Sequence, residues 1–283
     1  MRLAANVCGW LLWLTCQSLC AAPIAQGTSN QTAELDGISM EVYAYRPASC
    51  RPQAFLLVLH GTGRNAPDYL RYAVPLADSL CVIALAPRFD KSRFPRQKYQ
   101  LAGIVASDPG RSTGRLITQL VAWAREQEHH ADWPYALIGH SAGAQFLSRY
   151  AATIANDARA IVLANPGSYM FPRLDQPVPY GFGGLADADA ALQRYLAEPL
   201  VLVLGEDDVH ADKDLPAAPQ DMEDGPNRHA RGLNFYATGK ALAARNHWEF
   251  RWRLLEVPGV AHEGAKMLGS SQALEALQGL KHP

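Results

Sequence analysis

Short apolar runs alternate along this chain with longer segments in which apolar residues recur every three or four positions. The first pattern is typical of strands buried on both faces of a sheet, and the second of amphipathic helices. The predicted strands cover residues 38–45, 54–59, 81–86, 135–138, 158–164, 200–204 and 250–257. The predicted helices cover residues 68–79, 116–128, 144–150, 232–246 and 272–280. Residues 23–33 are polar and predicted to be loose, and Pro75 is expected to kink or split its helix.

This alternation of buried strands and helices predicts an α/β fold, with helices on both faces of a mostly parallel central sheet. The turns that follow parallel strands lie together at the carboxyl edge of such a sheet, which is where ligands bind. Polar or glycine-containing turns follow four of the predicted strands, at residues 60–63, 141, 205–208 and 260–262. We therefore expect the chemistry of the protein at this edge.

Composition narrows the class of protein. The chain has 283 residues, of which 48% are hydrophobic and 19% charged, which suits one large domain over residues 23–283. The formal net charge is −1, so no basic field argues for a nucleic-acid partner.

Residues 1–22 are predicted to be a secretory signal peptide, because Arg2 precedes an apolar run that ends in small residues after Cys20. An uncleaved anchor is the alternative, although the apolar run is short for a membrane span. We expect a secreted or periplasmic protein with no stable membrane span after cleavage.

The cysteines fit the same compartment. Three of the five would leave with the signal peptide, so that Cys50 and Cys81 remain as a pair in an oxidising environment. The alternative is two buried free thiols.

Ser141 lies between Gly139 and Gly143 at a predicted turn from strand to helix, which fits the pattern G-x-S-x-G of a nucleophile. Glycine on both sides relieves the crowding of such a turn, and the N-terminus of the following helix favours developing negative charge. The alternative is a chance serine at an ordinary turn.

A serine hydroxyl needs a base and an acid that orients the base. His262 follows the last predicted strand and is the histidine placed best to act as base, while His210 is a weaker competitor and His60 is expected to brace its own turn. The acid is expected after the preceding strand, where Asp208 is the first choice and Asp207 and Glu206 are alternatives.

Two further features concern the same loops. The backbone N–H groups of Thr62 and Ala142 are predicted to form the oxyanion hole. Asp212 and Asp214 follow the candidate acid, and such clustered carboxylates raise the alternative of a calcium site, although the spacing does not match a known calcium loop.

The sequence carries these motifs in a fixed order: a strand and then His60-Gly-Thr-Gly63, a strand and then Gly139-His-Ser-Ala-Gly143, a strand and then Gly205-Glu-Asp-Asp208, and last the loop Pro258-Gly-Val-Ala-His262. Over residues 38–283 it therefore resembles the α/β-hydrolase superfamily. More closely, it is similar to bacterial hydrolases related to polyhydroxybutyrate depolymerases and secreted esterases. The segments that match are residues 60–66, 86–90, 164–169, 179–184, 224–232 and the loop of His262.

The resemblance implies an α/β-hydrolase fold and a serine hydrolase that cleaves small-molecule or polymeric carboxylic esters through an acyl-enzyme, with no metal or organic cofactor. Peptidase or acyltransferase activity on the same triad, or a non-catalytic binding protein, are the alternatives. The resemblance also places Cys50 and Cys81 at the starts of adjacent parallel strands, so we expect them to form a disulfide.

Two loop insertions depart from the family pattern. One covers residues 165–184 and carries aromatic residues that suggest either an apolar substrate pocket or ordinary core. The other covers residues 209–231 between acid and base and is expected to shape the site or act as a lid.

Overall fold

The computed structural model describes residues 22–280. The predicted signal peptide lies outside these residues apart from Ala22. The strands are β1 (Gly27–Leu35), β2 (Ile38–Arg46), β3 (Phe55–Leu59), β4 (Ile83–Pro87), β5 (Tyr135–His140), β6 (Ile161–Ala164), β7 (Leu200–Gly205) and β8 (Arg253–Val257). The helices are α1 (Ala66–Leu80), α2 (Arg115–Glu128), α3 (Ala142–Thr153), α4 (Ala188–Leu196), α5 (Pro219–Asp224), α6 (Arg228–Asn246), α7 (Gly264–Leu268) and α8 (Ser271–Ala276).

The strands form one sheet in the order β1-β2-β4-β3-β5-β6-β7-β8. The pairs β1–β2 and β2–β4 are antiparallel, and the other neighbours are parallel. This confirms the predicted α/β-hydrolase arrangement, a mostly parallel sheet covered by helices.

Alternate side chains of each central strand enter separate cores. In β3, Leu57 packs in the core shared with α2, α3, α4 and α6, whereas Leu56 packs in the core shared with α1, α7 and α8. Both faces are covered, which explains why the strands read as continuous apolar runs. The covered sheet brings the ends of β3, β5, β7 and β8 to one edge.

The prediction that residues 23–33 are loose is wrong, because most of them belong to the edge strand β1. Its outer residues are polar and exposed, and only Ala33 and Leu35 are buried at its end. Asp36 and Gly37, both with positive φ, form the tight turn that pairs β1 with β2. Asp-Gly is a preferred turn for such a hairpin, so this signal was present in the sequence.

Pro75 does not split its helix, because α1 runs without a break from Ala66 to Leu80, and a kink at Pro75 stays a prediction. Pro75 lies on the exposed side of α1, whereas Ala73 and Leu76 are buried. The packed face holds the helix together while the proline forgoes one backbone hydrogen bond on the side that faces water.

The amino edge of the sheet carries a covalent link. Cys50 precedes β3 and Cys81 precedes β4, and the two form a disulfide with their Cα atoms 6.1 Å apart. Within residues 22–280, none of the helices combines the length and the apolar character that crossing a membrane requires.

Candidate active site

Ser141 lies at the turn from β5 into α3, at the carboxyl edge of the sheet. Its backbone has φ 55° and ψ −114°, a conformation that L-residues rarely adopt. The residue is nearly buried, and its N–H donates to the carbonyl oxygen of Ala164 at 3.0 Å. The turn thus holds the serine in a strained conformation at the N-terminus of α3.

The two glycines of this turn are required by close backbone contacts. A Cβ atom on Gly139 would lie 2.5 Å from the carbonyl carbon of Gly143, and one on Gly143 would lie 2.4 Å from the carbonyl oxygen of Leu59. Side chains at these positions would force α3 away from β3 and β5. The spacing G-x-S-x-G therefore follows from packing.

Three side chains from three loops meet at this turn. The Oγ atom of Ser141 lies 3.0 Å from Nε2 of His262, and Nδ1 of His262 lies 2.7 Å from Oδ2 of Asp208. Both distances are hydrogen bonds, and they fit the tautomer in which Nδ1 carries the proton and Nε2 accepts one from the serine. The structure thus brings together the serine, base and acid chosen from the sequence.

Asp208 has a second partner that the sequence did not reveal. Its side chain is buried, and its Oδ1 atom lies 3.4 Å from Nη1 of Arg228, the first residue of α6. The buried Arg228 also donates to both carboxylate oxygens of Asp212, at 2.7 and 3.0 Å. One guanidinium therefore holds the candidate acid and the loop that follows it.

Asn165 connects the acid loop with the histidine loop. This buried residue follows β6; its Oδ1 accepts from the N–H of Gly205, and its Nδ2 donates to the carbonyl of Ala261, both at 2.8 Å. Gly205 lies three residues before Asp208, and Ala261 immediately precedes His262. One amide side chain thus sets the distance between the two loops.

His140, the residue before the candidate nucleophile, lies beside the candidate base. Its ring centroid is 4.7 Å from that of His262, and its Nδ1 lies 2.7 Å from the hydroxyl of Tyr69. Burial lowers the pKa of His140 well below 6.5 and raises the pKa of Tyr69 above 10.0. Tyr69 therefore keeps its proton and donates it in a hydrogen bond to a neutral His140.

His60 braces the glycine turn after β3, as predicted. Burial lowers its pKa to about 4, so the ring is neutral. Its Nε2 accepts from the N–H of Phe89 at 3.1 Å, and its carbonyl oxygen accepts from the hydroxyl of Tyr99 at 2.7 Å. These bonds anchor the loop that carries Thr62, and they leave His60 unavailable as a base.

Thr62 and Ala142 are the predicted donors for an oxyanion. Among residues 22–280, no hydrogen bond uses the backbone N–H of either residue. Ala142 is the first residue of α3, where the N–H has no partner inside the helix. Thr62 lines the same cavity as Ser141. The absence of partners is compatible with the predicted oxyanion hole, which stays a prediction.

The cavity at Ser141 is small, about 220 Å³. This is below the range of roughly 300–1,000 Å³ that is usual for pockets for drug-sized ligands. Its walls are mainly glycine and polar or aromatic side chains, namely Gly61, Thr62, Gly63, Asn65, Tyr69, Tyr72, His140, Ser141, Asp214, His262 and Gly264. A larger cavity of about 640 Å³ lies at the amino edge of the sheet beside Cys81, far from these groups.

The aromatic residues of the first insertion do not line this cavity. Tyr169, Phe171 and Phe182 are buried in the core, and Tyr169 stacks on Phe235 with ring centroids 4.4 Å apart. The interpretation as an apolar substrate pocket is therefore wrong, and the alternative of ordinary core holds for these three residues, whereas Tyr180 is half-buried. A run of aromatic residues in a loop does not by itself distinguish the two.

The second insertion contains α5 and the start of α6 rather than loop alone. Arg231 of α6 donates to the carbonyl oxygens of Gly167 and Pro216, so it ties the two insertions together. Asp212 is paired with Arg228, and within the described residues no group of three or more His, Cys, Asp or Glu side chains is placed to hold a metal ion. The calcium alternative thus gains no support from the geometry, and a lid remains a prediction.

Comparison with known proteins indicates which class of enzyme this chain resembles. No protein-family model matches the chain, and no curated protein is similar enough to count as a match. Among solved structures, the poly(3-hydroxybutyrate) depolymerase LpqC from Bordetella parapertussis is 28% identical with a TM-score of 0.82, covering 89% of this chain and 90% of that one. Poly(aspartic acid) hydrolase-1 from Sphingomonas sp. KT-1 is 29% identical with a TM-score of 0.82, covering 89% and 99%.

A more distant similarity concerns the fold alone. The fluorophosphonate-binding serine hydrolase FphF from Staphylococcus aureus is 15% identical with a TM-score of 0.56, covering 93% of this chain and 100% of that one. Together these similarities show that the chain has the α/β-hydrolase fold and resembles hydrolases of the esterase and depolymerase type.

Proposed function

We propose that this α/β-hydrolase cleaves carboxylic esters with Ser141 as nucleophile, His262 as general base and Asp208 as the acid that orients the base. The observation that carries the proposal is the unbroken series of hydrogen bonds from the serine hydroxyl through both imidazole nitrogens to a buried carboxylate. Such a series activates a hydroxyl that is otherwise a weak nucleophile.

The reaction has two steps. Ser141 Oγ bonds to the acyl carbon while Nε2 of His262 takes the hydroxyl proton, and the N–H groups of Ala142 and Thr62 stabilise the oxyanion. The carbon–oxygen bond to the alcohol then breaks, and His262 returns the proton to the leaving alcohol. In the second step water attacks the acyl-enzyme with His262 again as base, which releases the acid and restores Ser141. Every proton is supplied by these groups, so the scheme needs no cofactor.

Amide hydrolysis on the same triad is the second candidate. It is favoured by the similarity to a poly(aspartic acid) hydrolase, whose substrate is a chain of amide bonds. Ester cleavage is favoured by the similarity to a poly(3-hydroxybutyrate) depolymerase at nearly the same identity. Either a polymer or a small ester would reach Ser141 through an open cavity.

We also propose that the protein is exported as a single domain of residues 23–283. The disulfide supports an oxidising compartment, where such bonds persist.

A fluorophosphonate probe and a p-nitrophenyl ester test the catalytic proposal. We expect wild type to be labelled and to hydrolyse the ester, whereas Ser141→Ala should lose labelling and its rate should fall by a factor on the order of 10⁴. Ser271→Ala, which changes an exposed serine in α8, is the matched control. An unlabelled, inactive wild type would instead favour the non-catalytic binding protein.

A further inference from the structure

The charges at the candidate active site are unbalanced. Asp214 is the only residue with a carboxyl side chain among those that line the cavity, and burial lowers the pKa of His140 well below its usual value. None of the lining residues is lysine or arginine. A substrate bound at Ser141 therefore faces a carboxylate and no exposed cation.

The charged side chains beside the cavity do not offset this carboxylate. Arg228 is shared between Asp208 and Asp212, so three carboxylates, with Asp214 included, stand against one guanidinium. Its hydrogen bond with Arg228 lowers the pKa of Asp212, which therefore stays ionised at neutral pH. The group as a whole is negative while His262 is neutral.

Basic side chains on the elements around the cavity are engaged elsewhere or lie outside the cavity lining. Arg71 of α1 pairs with Asp68 at 3.0 Å, and Lys266 of α7 pairs with Glu263 at 2.8 Å. Lys213 is exposed and does not line the cavity. No cation on these elements is therefore positioned to receive an anionic group of the substrate next to Ser141.

The backbone turn at Asp214 is held by the same arginine that holds the candidate acid. The N–H of Asp214 donates to Oδ1 of Asp212 at 2.9 Å, and that carboxylate is bound by the buried Arg228. The turn that presents Asp214 is thus anchored to the start of α6. Asp214 itself is exposed to solvent and lines the cavity.

We propose that Asp214 determines specificity by excluding substrates that carry a negative charge next to the scissile bond. The substrate class is then uncharged esters with small groups on either side of the bond, and polyanions such as poly(aspartic acid) are rejected. This inference rests on the proposed ester hydrolysis at Ser141. It favours an uncharged polyester such as poly(3-hydroxybutyrate) over poly(aspartic acid), the two polymers that the similar hydrolases are named for.

Two esters of matched shape test the proposal: mono-p-nitrophenyl glutarate, which ends in a carboxylate, and p-nitrophenyl glutaramate, which ends in an amide. With spontaneous hydrolysis subtracted, wild type should prefer the amide. In Asp214→Asn the ratio of kcat/KM for the anionic ester to that for the neutral ester should rise about three- to tenfold, the effect of one charge acting over a few ångströms of partly solvated space. Asp214→Lys should raise the ratio further.

Asp189→Asn is the matched control, because it removes the same charge from an exposed position in α4 and should leave the ratio unchanged. Salt of about 0.5 M should shrink the preference of wild type, since it screens exposed charges. If wild type hydrolyses the neutral ester but neither Asp214 variant changes the ratio of the two kcat/KM values, Asp214 does not determine specificity. That result would leave the proposed ester hydrolysis standing. A wild type inactive on both esters and unlabelled by the fluorophosphonate would overturn the ester hydrolysis itself.

Discussion

At the scale of single residues, Asp208 illustrates how two neighbours share one carboxylate. Oδ2 lies 2.7 Å from Nδ1 of His262, and Oδ1 lies 3.4 Å from Nη1 of Arg228. The shorter contact belongs to the imidazole, so Arg228 orients the carboxylate without displacing its bond to the base. A buried carboxylate with both oxygens engaged has little freedom to rotate.

We expect Asp208→Asn to lower kcat by a factor on the order of 10⁴, because an amide favours the wrong imidazole tautomer and cannot stabilise the imidazolium. Asp207→Asn and Glu206→Gln should change kcat no more than a few-fold, since both side chains are exposed and screened. The three variants are assayed side by side, with circular dichroism to confirm folding. Loss of activity in Asp207→Asn instead would mean that the acid is one residue earlier.

The sequence could predict the residues whose roles follow from position relative to a strand end. Ser141 was chosen from G-x-S-x-G, and His262 and Asp208 were chosen from their places after later strands, although chain order left Asp207 and Glu206 as alternative acids. Arg228 could not be predicted in this way, because its partner Asp208 is 20 residues away and belongs to another element. The segment that contains it matched the family, but a match assigns no contact.

At the scale of elements, the site depends on the spacing of three loops that follow β6, β7 and β8. The N–H of Asp207 donates to the carbonyl of Val260 at 3.0 Å, which is a direct contact between the acid and histidine loops. Asn165 adds its two side-chain bonds from the third loop. Without the amide, only backbone contacts would fix the distance between Asp208 and His262.

Removing the Asn165 side chain should therefore misplace the base. We expect Asn165→Gly to lower kcat about ten- to a hundredfold with little change in KM, the cost of a displacement of roughly 1 Å in a catalytic group. Glycine suits this position because Asn165 has φ 45°, so the backbone is not strained by the change.

A control separates alignment from general stability. Asn156 also bonds through its side chain, to Glu198 and to backbone, but away from the site. Asn156→Ala should lower the melting temperature and leave kcat unchanged. Equal kcat in Asn165→Gly and wild type would show that the backbone contacts suffice, and a weakened low-field proton resonance of the His262–Asp208 hydrogen bond would support alignment.

Helix α5 carries two buried carboxyl groups, Asp221 and Asp224. Both carboxylate oxygens of Asp221 lack a hydrogen-bond partner among the described residues. Burial and the charge of Asp221 raise the pKa of Asp224 from 3.8 to about 7. The folded protein therefore keeps a proton on Asp224 that the unfolded chain has already released.

This raised pKa predicts a dependence of stability on pH. Because the folded state binds the extra proton between about pH 4 and about pH 7, Asp224 lowers the free energy of unfolding as the pH rises through that window. Asp224→Asn removes this loss. The melting temperature of the variant minus that of wild type should therefore grow as the pH rises from about 5 to about 8. A difference that stays constant with pH would contradict the prediction. Glu198→Gln, at a separate buried carboxyl group with a pKa of about 7, shows the size of a comparable effect elsewhere.

Helices and strands whose apolar residues recur at regular spacing could be predicted from the sequence. Those that are stabilised by partners distant in the sequence could not. The five central strands and helices α1, α2 and α3 follow directly from their apolar positions. β1 was missed because an edge strand needs little apolar surface and gains its order from pairing with β2. Helices α4 and α5 lie within or beside the insertions, where the apolar pattern is short and weak.

At the scale of the whole molecule, the disulfide links the starts of two neighbouring parallel strands across 31 residues. In the chain-entropy model a loop of this length contributes roughly 3–4 kcal/mol to the free energy of unfolding. We expect Cys50→Ala/Cys81→Ala to lose about this amount in denaturant unfolding, compared with oxidised wild type. Mass spectrometry that finds two free thiols in protein exported to an oxidising compartment would contradict the bond.

The disulfide and the proposed catalytic groups occupy opposite edges of the sheet, since Cys50 and Cys81 precede β3 and β4 whereas Ser141, Asp208 and His262 follow β5, β7 and β8. The resistance of the protein to inactivation and its catalytic rate therefore depend on different parts of the molecule. Enzyme made in a reducing cytosol should show normal initial velocities, yet lose activity on storage or mild heating with a shorter half-life. Progress curves that begin steeply and then flatten early would reflect that inactivation, and not a defect in the chemistry.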